Sequence, residues 1–395
     1  MRKKLTIWAA VLLLAASLFL AIAPGIAEKS MNKIAGSGIW PVSPRARMLH
    51  NRLTIVDLHG DTLLWHRDLA QASDRGHIDL PRLVAGHVAL QVFSSVTKTP
   101  KHQNYDSNDD RTDNITLLAI GQMQPVKTWT SLLERSLWHA EKLARAQAAA
   151  GGRLRIIRSP ADLAALLRAR NGNSVPVGAL LSVEGAHNLE GKLSNLGVLH
   201  TAGFRMVGLV HFFDNDLGGS MHGKRKAGLT AFGLHVVQQM EARGMIVDLA
   251  HASAATFADV LRLARRPVVV SHGGVKATCD TPRNLTDNQL RALAKNGGMI
   301  GIGYWDAAVC KPTPQATARA IVHVRNLVGA RYVGLGSDFD GSVTTGFDTA
   351  HIDAVTQALI DAGLADAEIA MVMGGNAVRI IAAGMAPLGA SALSR

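Results

Sequence analysis

Cysteine is scarce: the 395 residues hold two, Cys279 and Cys310. Two thiols exclude a disulfide-dense scaffold and every Cys-rich zinc module. They leave open one disulfide, if the chain works outside the cytoplasm, or two buried free thiols. Aromatic residues are only 5% of the chain, and Lys and Arg are scattered rather than run together. No zinc-finger spacing or base-stacking platform is present, so the formal charge of +12 points to no nucleic-acid partner. A charged fraction of 18% against 48% hydrophobic residues excludes a disordered chain and allows a large core. The surplus positive charge suits an anionic membrane or envelope polymer, or has no function at all.

The chain opens MRKKLTIWAAVLLLAASLFLAIAPGIAEKS. Three basic residues precede an apolar stretch from Leu5 to Ile26, the pattern of an export leader. The stretch is just long enough to span a bilayer. Residues 1–27 are therefore expected to be a cleaved signal peptide or a retained membrane anchor. The protein is then exported, either free in the periplasm or exterior or held at the membrane. No cysteine lies near the leader, which excludes a lipoprotein anchor. Segment 1–27 holds Arg2, Lys3 and Lys4 and no acid, so its removal takes +12 to +9. Residues 28–50 carry Pro, Ser and Arg and read as a linker, and 51–390 read as one domain.

Within that domain, eight near-continuous apolar runs stand out. They are LTIVDLHGD (53–61), HVALQVFSS (87–95), PVGALLSVEG (176–185) and FRMVGLVHF (204–212), then GMIVDLAH (244–251), PVVVSHGG (267–274), GMIGIGYW (298–305) and RYVGLGSDFDG (331–341). Continuous rather than alternating hydrophobicity is expected of parallel strands buried on both faces. Helical patterns fill the gaps, as in AGLTAFGLHVVQQMEARG, which closes on Gly244, and SAATFADVLRLARR, which opens on a Ser253 cap. Eight strand–helix alternations predict a closed (β/α)₈ barrel. A doubly wound open sheet is the alternative; the lack of a Gly-rich phosphate-binding turn counts against it. Residues 97–150 interrupt the rhythm and read as an elaborated connection after the second strand. The tail DAEIAMVMGGNAVRIIAAG reads as a terminal helix broken at Gly374–Gly375.

The polar residues sit at the ends of these runs. The first run finishes on His59 and Asp61 and the third on Glu184. The fourth, fifth and sixth finish on His211, His251 and His272, and the eighth on Asp338. Strand C-termini converge on one face of a barrel, where active sites are built. A lone strand-end histidine is more often a hydrogen-bonded structural group than a ligand. The set is different, because three carboxylates and four imidazoles buried together are costly unless a cation relieves them. Imidazole plus carboxylate suits zinc, with manganese, cobalt or iron as alternatives. His66, His77, His87, His139, His200, His235, His323 and His351 fall in helices or loops and read as structural. His187 and His222 lie nearer the mouth and are left unassigned.

These residues and their surroundings resemble a known family. HGD (59–61), SVEGAH (182–187), LVH (209–211), DLAHAS (248–253), VVVSHG (268–273), PRN (282–284), GSDFDG (336–341) and GGNAVRI (374–380) are similar, in order, to motifs of the membrane, or renal-type, dipeptidases of metallopeptidase family M19. The resemblance covers roughly residues 50–385. It implies a zinc-dependent dipeptidase of the EC 3.4.13 type on a (β/α)₈ barrel, with two zinc ions per chain. His59 and Asp61 would bind one ion, His251 and His272 the other. Glu184 and a water or hydroxide would bridge them. It further implies Asp338 as the acid–base carboxylate, His211 as a catalytic and substrate-contacting residue, and Arg283 and Asn284 at the substrate. A free dipeptide would be the substrate, with a D-residue accepted at its C-terminal position in some members, and a homodimer the assembly. A Cys279–Cys310 disulfide also follows from the resemblance.

The chain departs from the family pattern beside His59, where it reads Gly60-Asp61-Thr62-Leu63, and after His211, where the usual cysteine is missing from FFDNDLGGS. Both departures bear on substrate preference rather than on reaction type. Another binuclear hydrolase, acting on cyclic amides, lactones, β-lactams or phosphoesters, is the second reading; such enzymes usually open with His-x-His, and this chain has His-x-Asp. A binding protein that kept the barrel is the third, and a missing ligand would be its signature.

Overall fold

The eight apolar runs become eight strands: β1 Ile55–Asp57, β2 Val88–Val96, β3 Val177–Glu184, β4 Phe204–Gly208, β5 Ile246–Asp248, β6 Val269–Gly273, β7 Met299–Ile302 and β8 Val333–Leu335. The computed structural model describes residues 22–170 and 175–386, with Lys4, Trp8 and Leu20, so most of the expected leader lies outside the described residues. Each barrel strand pairs in parallel with its sequence neighbours, and β1 pairs with β8 through Asp57 and Leu335. The ring is closed, which rules out the open doubly wound sheet.

Side chains change character up the barrel. One face of β3 carries Leu180, Ser182 and Glu184 at the strand period of two. Leu180 packs at the base with Val56, Leu90, Met206, Ile246 and Met299. The terminal helix Asn376–Met385 plugs that base with Ile380 and Ile381. Four residues above Leu180, Glu184 reaches the mouth. The break expected at Gly374–Gly375 is present at Gly374, which leaves the helical conformation, and only glycine fits there, since a Cβ would meet the Thr54 carbonyl at 1.9 Å. The run Asp366–Met385 is long and apolar enough to cross a membrane, but 56% of its most apolar window is buried here. It serves as a core helix.

One expectation is corrected. Residues 28–50 are not a linker. Lys33–Ile34 pairs in parallel with Thr344–Thr345, and Pro44–His50 is a helix capped by the Ser43 hydroxyl. Glu28 is buried and ion-paired with Arg67 and Arg75. A two-residue strand and long-range charge pairs leave no periodic trace in sequence. The connection after β2 also holds a short strand, Leu154–Ile156, which pairs with the start of β3 below β4. Before it come the helices Asn114–Gly121, Lys127–Thr130 and Leu132–Ala149. Cys279 and Cys310 form the disulfide, with Cα atoms 5.4 Å apart. It ties the loop after β6, which carries Arg283, to the loop after β7.

Candidate active site

Glu184 stands at the centre of the barrel mouth. Its Oε2 lies 3.5 Å from His59 Nε2. Its Oε1 lies 3.0 Å from His251 Nε2, 3.3 Å from His272 Nε2 and 3.5 Å from His211 Nε2. One carboxylate thus turns its two oxygens to two sets of imidazoles. His59 Nε2 is also 3.5 Å from Asp61 Oδ1 and 3.9 Å from Asp338 Oδ1. Three triads have donor atoms within 4.8 Å of one another: His59–Glu184–His272, Glu184–His211–His251 and His59–Asp61–Asp338. The structure therefore brings all seven strand-end residues into one cluster.

The donor set fits metal ions. Ligands about 2.0 Å from a tetrahedral ion stand about 3.3 Å from each other, and the contacts around Glu184 span 3.0–3.5 Å. His59 Nε2 and Asp61 Oδ1 are buried with no hydrogen-bond partner, a costly state unless a cation lies between them. The electrostatics agree. Burial pulls the His59 imidazole down, but the Glu184 and Asp61 charges outweigh burial and hold it well above its usual range. Burial, with Arg283 and neighbouring imidazoles adding to it, pushes His211, His251 and His272 well below theirs, into the neutral form that ligates metals. Burial, reinforced by Asp61 and Glu184, drives the Asp338 carboxyl well above the usual carboxylate range against the pull of His59.

Several local devices hold these side chains. His251 and Asp338 both occupy left-handed backbone, φ 63° and 59°. Such strain in a non-glycine residue persists only where the surroundings enforce it, as active sites do. Gly341 leaves room for the two aspartates; a Cβ there would lie 2.3 Å from Asp338 Oδ1 and 2.8 Å from Asp61 Oδ2. Asp57 Oδ1 accepts hydrogen bonds from His59 N at 3.1 Å and Ser337 N at 3.0 Å. Asp248 Oδ1 accepts from Ala250 N and Ser271 N, both at 2.9 Å. Each buried aspartate staples the ends of two adjacent strands that carry cluster residues. The sequence reading missed both, although IVDLH and IVDLAH repeat the same signal.

The substrate-side expectations divide. Arg283 is buried, and its Nη2 donates to the His272 carbonyl at 2.7 Å. Its Nε has no partner, and its guanidinium lies 5.6 Å from the Trp305 ring centroid. It lines the same cavity as Asp61, Glu184, His211, His251 and Asp338. Asn284 does not line that cavity. Its Nδ2 instead donates to the Cys279 and Ala308 carbonyls at 2.7 and 2.9 Å, so it fastens the Arg283 loop. Tyr105, from the interrupting segment, was not foreseen. Its hydroxyl accepts a bond from Trp305 Nε1 at 3.1 Å, and burial pushes its phenol up to about 12. Of the unassigned histidines, His187 is held by Thr97 and His222 by the Tyr105 carbonyl, and burial takes both down to about 3.

A closed barrel with a buried His–Glu–Asp cluster at the strand C-termini defines a metal-dependent hydrolase of the (β/α)₈ class. The family profile described as membrane dipeptidase, peptidase family M19, matches residues 43–386, and the chain belongs to that family. It is a metallo-dipeptidase. It is 30% identical over 361 residues to the dipeptidase aclJ of Aspergillus oryzae, covering 86% of this chain and 80% of the relative. Among solved structures it resembles the probable dipeptidase PvdM of Pseudomonas aeruginosa, with a TM-score of 0.72, 20% identity and coverage of 87% and 99%. It also resembles a metallopeptidase of Rhodobacter sphaeroides liganded with a phosphinate mimic of the dipeptide L-Ala-D-Ala, with a TM-score of 0.67, 23% identity and coverage of 84% and 99%.

Proposed function

We propose that this chain hydrolyses the peptide bond of free dipeptides, using two zinc ions held on Glu184. The observation that carries the reading is a shared cavity: the Glu184 cluster and the buried, partly unpaired Arg283 guanidinium face the same space. His59 and Asp61 would hold one ion and His251 and His272 the other, with Glu184 between them. When bound, such ions supply Lewis acidity toward a carbonyl and make water acidic near neutral pH.

The chain's own residues do the rest. Arg283 offers a planar fork to the substrate's C-terminal carboxylate, which confines the site to very short peptides. His211, neutral and buried, donates a hydrogen bond to the carbonyl oxygen as charge develops there. Asp338 takes the proton of the attacking water and passes it to the leaving amine. Tyr105 stays protonated beside Arg283 and closes that end of the site. The L-Ala-D-Ala mimic bound by the Rhodobacter protein supports a D-residue as a second-position substrate here. The disulfide and the basic-then-apolar N-terminus support work outside the cytoplasm.

Arg283→Ala tests the anchor. Charge-assisted bonds contribute about 1.5–3 kcal/mol, so KM for L-Ala-L-Ala should rise roughly 10- to 150-fold with kcat and metal content retained. The unsubstituted enzyme should show a similar penalty on L-Ala-L-Ala amide, which lacks the carboxylate. Steady-state kinetics with both substrates, beside metal analysis of the variant, decide it. An unchanged KM removes Arg283 from substrate binding.

A further inference from the structure

The cavity extends well beyond the cluster. Its volume is about 940 Å³, near the top of the roughly 300–1,000 Å³ that drug-sized ligands fill. A dipeptide of two alanines leaves most of it empty, and the spare space lies on one side. Arg283 follows β6, whereas Val96 ends β2, and these strands stand opposite each other in the ring. Around Val96 the wall is mostly apolar, built from Leu64, Trp65, Ile115 and Leu118, with Thr99 and Asn114 the nearest polar lining residues in sequence. A dipeptide with its carboxylate on Arg283 and its peptide bond over the cluster would extend its N-terminal residue toward that wall.

The rest of this wall comes from outside the barrel. Leu20, Ala23, Pro24, Ala27 and Met31 line the same cavity. Ala23, Ala27 and Met31 recur every four residues on one face of the helix 22–31, with Pro24 beside them, and Leu20 stands three residues before Ala23. The helix is fastened in place. Glu28 pairs with Arg67 Nε at 2.5 Å and Arg75 Nε at 2.9 Å. Asn32 Oδ1 accepts from Ser342 N at 2.8 Å, in the loop that carries Asp338. Arg67 in turn pairs with Asp340 of that loop. The residues that follow the apolar leader are therefore tied to the active-site loop by buried polar bonds.

We infer that helix 22–31 is a fixed wall of the substrate site, and that the site prefers dipeptides whose N-terminal residue carries a large apolar side chain. The inference rests on the dipeptidase reading, and it requires residues 20–31 to stay attached in the working enzyme. The chemistry is complementary along the cavity: cationic at Arg283, polar at the cluster, apolar beneath the helix. A phenylalanyl or leucyl side chain removes that apolar surface from water, and a glycyl residue leaves it wet.

The test uses the full zinc-loaded chain in detergent, with kcat/KM measured for L-Phe-L-Ala, L-Leu-L-Ala and Gly-L-Ala. The unsubstituted protein should favour the first two over the third by at least about tenfold. Ala23→Trp and Ala27→Trp fill the apolar end and should cut that preference by about tenfold or more. Ala23→Leu should shift it the same way by less, which covers the case where tryptophan is not tolerated. Ile26→Trp, on the exposed side of the helix, should leave it unchanged. A preference near unity in the unsubstituted protein, or the same preference in every variant, overturns the wall. Failure to cleave any of the three dipeptides with metal bound overturns the dipeptidase reading beneath it instead.

Discussion

Asp338→Asn should leave both metals bound and lower kcat by about 10²–10⁴-fold, the usual contribution of a positioned acid–base group. Asp338 is the outermost carboxylate of the cluster, 13% exposed against 3% for Asp61 and 6% for Glu184. It is also the furthest from His59, at 3.9 Å against 3.5 Å. That position suits a group that meets water and substrate more than one that meets the metal. Asparagine keeps the size and the left-handed backbone preference but carries no titratable proton. Metal content and kcat measured on one preparation separate the roles. Loss of an ion in step with activity would make Asp338 a ligand, as its place in the triad with His59 and Asp61 also allows.

Glu184→Gln should cost both metals and reduce kcat/KM on the order of 10⁴-fold or more, because acidified water is lost with them. The argument is geometric: Oε2 serves the His59 side and Oε1 serves the His211, His251 and His272 side. Glutamine presents an amide donor to one of those sides and removes the only charge shared by both. Metal analysis and kinetics after dialysis read the result. Retention of both ions with more than about a tenth of the activity would show that Glu184 does not bridge.

Much of this was legible in sequence because of the barrel. Strands buried on both faces are continuous apolar runs, so all eight could be found, and their C-termini gave the positions of the cluster. Val96 lies only one residue past the second run, and Glu184 lies inside the third. What escaped notice follows from the same logic. Asp57 and Asp248 sit inside apolar runs and act through backbone groups at the ends of their own and a neighbouring strand, which no periodicity reveals. Tyr105 comes from a segment with no repeating pattern, so its meeting with Trp305 is purely tertiary. Glu28 finds Arg67 and Arg75 only once the chain has folded back, so its segment read as a linker. Asn284 followed Arg283 in the motif, but adjacent residues in a loop point in different directions, and only one faces the cavity.

The measurement that tests the central claim most directly is amino-acid release from L-Ala-L-Ala and L-Ala-D-Ala. The chain would be stripped with chelator, assayed, and assayed again as zinc is titrated in. The account predicts no release from the stripped protein and recovery that saturates at two zinc ions per chain. Unchanged release after complete stripping would contradict a metal mechanism. No release from either dipeptide at full zinc occupancy would contradict the substrate, and would turn attention to cyclic amides, lactones and β-lactams on the same cluster.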